Sequence, residues 1–145
     1  MQSLTRPDKR RMSMENIDKN AIILLAHGSP DPRWKEPFEK IVVRLEEKFG
    51  KTNIKLAYMD FIKPTFEDVV KELFNENINQ IKLLPLFMSG GGHVDRDIPK
   101  LVSSAKKRFP KIEVDILPPI GEYAEVSSVM IDVIIGLSKY ERDLV

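Results

Sequence analysis

The chain holds two histidines, His27 and His93, and each stands just past an apolar run: AIILLAHGSPDPRW for the first, LLPLFMSGGGHVDRDIPK for the second. A neutral imidazole in such a setting can ligate a borderline divalent ion or accept a proton near neutral pH, although one ring nitrogen cannot do both at once. A carboxylate, Asp60, closes a further apolar run, NIKLAYMD. Two imidazoles and a carboxylate suit Co²⁺, Ni²⁺, Fe²⁺ or Zn²⁺ and lack the softness that selects Cu(I). A ligand set of this size leaves coordination positions open, as befits a site that hands its metal on. Either histidine alone is more often a loop hydrogen-bonder than a ligand; their equivalent settings carry the metal reading.

The residues around them admit several roles. Gly90, Gly91 and Gly92 precede His93. They could present backbone amides to an anion, give a turn its dihedrals, or let the backbone approach a large flat ligand. The run is neither GxGxxG nor GxxxxGK[ST], which speaks against a nucleotide-binding module. Asp31, Asp95 and Asp97 could orient an imidazole from behind or serve as charges at helix N-termini. Arg33, Lys35, Lys63, Arg96 and Lys100 flank the same segments and could clamp substrate carboxylates or lie solvated on the surface.

Alternating elements must position these groups. Ala21 to Ala26 is a continuous apolar run, the pattern of a strand covered on both faces. Trp34, Phe38, Ile41, Val42, Leu45 and Phe49 then recur at helical spacing, with Pro37 confined to the first turn and Gly50 as C-cap. NIKLAYMDF reads as a second strand. PTFEDVVKELFNEN reads as a helix opened by Thr65 and Asp68 in a capping box. IKLLPLF is a third strand in which Pro85 predicts a bulge or an edge position. DIPKLVSSAKKRFP, IEVDIL and EYAEVSSVMIDVIIGLSKY follow as helix, strand and helix. The alternation predicts a three-layer α/β/α sandwich with a mostly parallel central sheet and a flavodoxin-like architecture. Ligands of such sheets bind beyond the carboxyl ends of the strands, where His27, Asp60, His93 and the PPIGE segment all fall.

Bulk properties narrow the function classes. With 145 residues the chain predicts one domain, residues 21–145, preceded by a flexible polar extension, residues 1–20. A net charge of +1 calls for neither nucleic acid nor a membrane surface. The absence of cysteine excludes disulfides, thiolate zinc sites and iron–sulfur clusters. No apolar run approaches the roughly 20 residues of a bilayer span, and the start lacks an apolar leader core, so a cytoplasmic protein is expected.

The segments LLAHGSPDPRWKEPFEKIVVRLEEKF, AYMDFIKPTFEDVVKELFNENINQIKLLPLFMSGGGHVDRDIPKLV and LPPIGEYAEV together resemble the CbiX-type class II chelatases, over roughly residues 21 to 126. HGS after the first strand, paired with GGHV and D-I-P after the third, carries the resemblance. It implies ATP-independent insertion of Co²⁺ or Fe²⁺ into the tetrapyrrole sirohydrochlorin, toward cobalamin or sirohaem; the ligand chemistry leaves Ni²⁺ a further candidate. It implies His27 and His93 as catalytic and metal-binding residues, and Asp60 in a place where the family more often has glutamate. Ser29, Gly90, Gly91, Gly92, Arg33 and Arg96 would then contact the substrate. No nucleotide is implied. The single-copy length is similar to that of the short form, which implies a homodimer. A non-catalytic metal or tetrapyrrole carrier on the same fold is the alternative.

Overall fold

A computed structural model describes residues 20–50, 53–92 and 94–143. Four parallel strands, β1 (Asn20–Ala26), β2 (Ile54–Tyr58), β3 (Gln80–Pro85) and β4 (Glu113–Ile116), form one sheet in the order β2-β1-β3-β4. The helices are α1 (Glu36–Phe49), α2 (Phe66–Asn75), α3 (Val94–Arg108) and α4 (Ala124–Asp143). The three-layer expectation is met. The step from β1 to β2 runs one way across the sheet and the steps to β3 and β4 run the other. Right-handed crossovers therefore put α1 on one face and α2 and α3 on the opposite face.

Period-2 alternation in β1 divides its side chains between those faces. Ala21, Ile23 and Leu25 point into the main core with Ile81 and Leu83 of β3. There they meet Phe66, Val69, Val70 and Leu73 of α2, and Val94, Ile98 and Ala105 of α3. Burying each large aliphatic side chain here stabilises by about 1.5–3 kcal/mol. The helix α2 starts as its sequence dictates: the Asp68 N–H donates to Thr65 Oγ1 at 3.1 Å and the Thr65 N–H returns to Asp68 Oδ2 at 3.0 Å. That backbone donor lowers the Asp68 carboxyl below its usual value.

Three expectations are corrected. Pro85 neither bulges the sheet nor marks an edge, because β3 lies between β1 and β4. It is the last residue of its strand, and the β4 pairing ends two positions earlier, at Leu83 opposite Ile116. The next amide, Leu86 N–H, donates to Leu25 O at 2.8 Å, so bonding on the β1 side runs on past the proline. The third helix begins at Val94, ahead of the DIPK segment, and takes Pro99 into its interior. The N–H lost at Pro99 would have been donated to the carbonyl of Asp95, an exposed residue whose oxygen water can serve. Asn20 belongs to β1 rather than to an extension, and residues 1–19 lie outside the described residues.

Candidate active site

The strand order places the carboxyl end of β1 between the ends of β2 and β3. His27 emerges there, half-buried, its imidazole packed on the Phe87 ring at a centroid distance of 4.2 Å and an interplanar angle of 44°. Phe87 is 7% exposed and belongs to the core, so the imidazole rests on a fixed support.

The β2 end is tied to the same point. Met59 N–H donates to Ala26 O at 2.9 Å and Asp60 N–H donates to His27 O at 3.0 Å, so backbone bonding continues past the end of the parallel ladder. Gly28 follows with φ +90°, and a Cβ on it would meet the Asp60 carbonyl oxygen at 2.0 Å. Only glycine permits both the dihedral and the approach. The chain then turns back through an Ile62 N–H to Asp60 O bond of 2.9 Å and a Tyr58 N–H to Pro64 O bond of 2.9 Å. At the tip sits Phe61, with φ +70°. A non-glycine residue held there stores on the order of 1 kcal/mol. Tyr58, beneath this turn, is 2% exposed. Burial first, and the Glu39 charge second, push its hydroxyl above the ordinary tyrosine value, so it stays neutral.

The β3 end is clasped by the segment after β4. Gly121 N–H donates to Phe87 O at 3.0 Å, and a Cβ on Gly121 would meet Met88 O at 2.0 Å. Glu122 Oε1 accepts from the Gly90 N–H at 3.3 Å. Gly91 and Gly92 take φ +109° and +61° with open space around them. They lead to Val94, the first residue of α3. His93 lies outside the described residues. Among the described residues no three histidine, aspartate or glutamate side chains converge into a metal-binding cluster.

The CbiX family model matches residues 21–135, the whole of this architecture from β1 into α4. The chain belongs to the CbiX family. A CbiX protein of Marinobacter aquaeolei VT8 has the same fold with a TM-score of 0.73 and 30% identity, covering 85% of this chain and 98% of that one. The sirohydrochlorin cobaltochelatase of Saccharolobus islandicus (strain L.S.2.15) is 28% identical over 116 residues, 76% of this chain and 89% of its own length. That of Methanopyrus kandleri is 32% identical over 82 residues, so the matched stretch spans 57% of each chain. The sirohydrochlorin chelatase SirB of Bacillus subtilis subspecies spizizenii, solved in complex with cobalt, shares the fold at a TM-score of 0.63 and 22% identity. This chain spans 44% of its length.

The residues expected to form the CbiX-type site divide into three groups. His27 and Asp60 are neighbours at the rim through the ladder bond already described. Ser29 lies beside them, but its Oγ accepts the Asp31 N–H at 3.1 Å and so shapes the turn after β1. Arg33 is committed locally: its guanidinium grips Asp31, with the shortest contact, from Nη2 to Oδ2, at 2.7 Å. The Arg33 side chain and backbone amide lower the Asp31 carboxyl, so this aspartate serves its neighbour rather than an imidazole. Gly90 lies 3.0 Å, measured to its would-be Cβ, from Asp95 Oδ1 in the first turn of α3. Arg96 and Asp97 occupy that same turn, with Arg96 exposed.

Four further positions carry the geometry and were not singled out from the sequence: Phe87, Gly28, Gly121 and Glu122. Gly28 and Gly121 had a readable signal, each being a lone glycine one residue beyond a strand or a proline pair, in HGS and PPIG. Phe87 reads as one more residue of an apolar run, and its partnership with His27 arises only when β3 pairs with β1.

Proposed function

We propose that this chain inserts a divalent metal ion, Co²⁺ or Fe²⁺, into sirohydrochlorin without ATP, as a lyase-type chelatase of cobalamin or sirohaem synthesis. The observation that carries the proposal is the mounting of His27. It stands at the end of an interior strand, its ring packed on Phe87 and its backbone bonded to the Asp60 turn, in a chain matched by the CbiX model from β1 into α4.

Insertion requires a loosely held, partly dehydrated ion, a macrocycle bent so that pyrrole nitrogen lone pairs point outward, and removal of the pyrrole protons. His27 and His93 share the ligand and proton-acceptor roles, since a single ring nitrogen cannot perform both. Asp60, exposed at the tip of β2, assists by coordination or by accepting a proton. The glycine run from Gly90 to Gly92 lets backbone and imidazole approach a flat ring. Arg33 and Arg96 meet the substrate's carboxylates, and Arg33 exchanges its grip on Asp31 to do so. Contacts with the ring's periphery supply the binding energy that supports bending.

Mixing the protein with sirohydrochlorin and Co²⁺, Fe²⁺ or Ni²⁺ and following the absorption spectrum tests this directly. The expected result is many turnovers per protein, with the ranking of metals given by the rates. A spectral change that stops at one equivalent per site identifies a carrier and overturns the proposal.

The working unit in this reading is a homodimer in the cytoplasm, each copy contributing residues 21–145 as one domain. The support for pairing is α4. It packs on the short 3-10 turn before it, Ile120–Glu122, and leaves Val129, Val133, Ile134 and Leu137 56–64% exposed, with Ile131 and Ile135 close behind. Such an apolar stripe on a long helix is the pattern of an interface core. Ile134→Glu is expected to convert a dimer into monomers by light scattering at working concentration. A wild-type protein that is monomeric at every concentration overturns the dimer.

A further inference from the structure

Among the described residues Phe61 is the most exposed of the large apolar side chains, at 79%, above even those of the bare α4 stripe. It is also one of two non-glycine residues with positive φ among the described residues. The other, Asn77, has a short amide side chain that tolerates the left-handed region; a phenylalanine does not. A ring displayed to water on a disfavoured backbone contributes nothing to the core and is kept in place by everything around it. The Asp60 amide is bonded to His27 O, the Asp60 carbonyl is pressed against Gly28, and the turn is closed by Ile62 and Pro64. Across β1, at the end of β3, Met88 is 56% exposed, its backbone clasped by Gly121. The strand order thus sets an exposed aromatic and an exposed thioether on either side of the β1 end that carries His27.

Resting on the chelatase reading, we infer that Phe61 is the residue that positions the macrocycle, its ring laid against the conjugated face of the tetrapyrrole beside His27, with Met88 supporting the same face from the β3 side. A flat, conjugated, weakly hydrated surface is what an exposed aromatic ring and a polarisable thioether recognise. The basic residues of the rim take the charged periphery, and this pair takes the ring itself. The turn fixes the Phe61 backbone before substrate arrives, so only the two side-chain torsions remain to be ordered on binding.

Steady-state insertion with Phe61→Ala, Phe61→Gly and Phe61→Tyr, run beside wild type, tests the assignment. Removing the ring is expected to raise KM for the tetrapyrrole about tenfold or more, the range for losing a buried aromatic contact, while the dependence on metal concentration stays unchanged. Phe61→Tyr keeps the ring face and is expected to stay within about twofold of wild type. Phe61→Gly suits the left-handed backbone, so its thermal midpoint is expected to match or exceed that of wild type while its KM still rises. That split separates ring recognition from structural damage. Unchanged KM in both Phe61→Ala and Phe61→Gly, with wild-type turnover intact, overturns the inference and leaves the chelatase reading standing. A change in oligomeric state with unchanged KM overturns it equally. Absence of turnover in the wild type overturns both.

Discussion

His27→Ala is expected to lower kcat/KM for metal insertion by about two to four orders of magnitude, the usual span for a lost proton acceptor or ligand, while the protein stays folded. The His27 side chain is half-buried, and its one ring contact among the described residues is the tilted packing on Phe87. Losing that contact costs about 0.5–1.5 kcal/mol, or a fall of a few degrees in Tm for a chain of this size. The backbone bond from Asp60 to His27 O is indifferent to the side chain and survives. Circular dichroism should therefore show a native spectrum and a slightly lowered Tm, alongside a spectral assay with almost no insertion. His93→Ala is expected to show the same activity loss. Wild-type rates in either variant would remove that histidine from the mechanism, and unfolding of His27→Ala would show that the imidazole serves the fold rather than the reaction.

Gly28→Ala is expected to be the most damaging single-methyl change at the rim. Its Cβ would lie 2.0 Å from the Asp60 carbonyl oxygen, which is main chain and cannot swing aside, and φ +90° disfavours any side chain. The dihedral costs about 1–2 kcal/mol and forced displacement of packed backbone about 1–3 kcal/mol more. The sum lowers Tm by roughly 10 °C. Because the displaced segment is the Asp60–Phe61 turn, insertion should fall in the fraction that remains folded. Gly50→Ala isolates the dihedral part: Gly50 has φ +78° with nothing within 4 Å of the added methyl. It is expected to lose roughly 1–2 kcal/mol and no activity. Equal losses in the two variants would show that the Gly28–Asp60 contact yields freely.

Much of the architecture was legible because each element is announced locally. The apolar run of β1, the Thr65–Asp68 capping box and the glycine after Phe49 depend on neighbours a few residues away, and all appear as expected. Pro85 and Pro99 were misplaced for a physical reason. The cost of a proline depends on whether its missing N–H faces a partner, and that is decided by where β4 ends and by which turn of α3 meets water. The site was legible as residue types at strand ends. What the sequence left unstated were approaches between distant segments: Phe87 behind His27, Asp60 against Gly28, Gly121 against Met88. Sheet pairing creates these, and no local pattern encodes them. The Arg33–Asp31 pair lies two residues apart, yet its effect is to occupy a cation that the resemblance assigns to substrate.

The place of β1 in the sheet has a mechanical consequence. A strand laddered on both sides cannot shift without breaking two rows of bonds, and β1 is paired with β2 from Ile22 to Ala26 and with β3 from Asn20 to Leu25. In the proposed function the imidazole at its tip would thereby be an anvil: a fixed surface against which a puckered ring is pressed. In the proposed function, yielding on entry and release would fall to Gly91 and Gly92, where no described residue lies within 4 Å of an added Cβ, so the same rim would join an unyielding point to a compliant one.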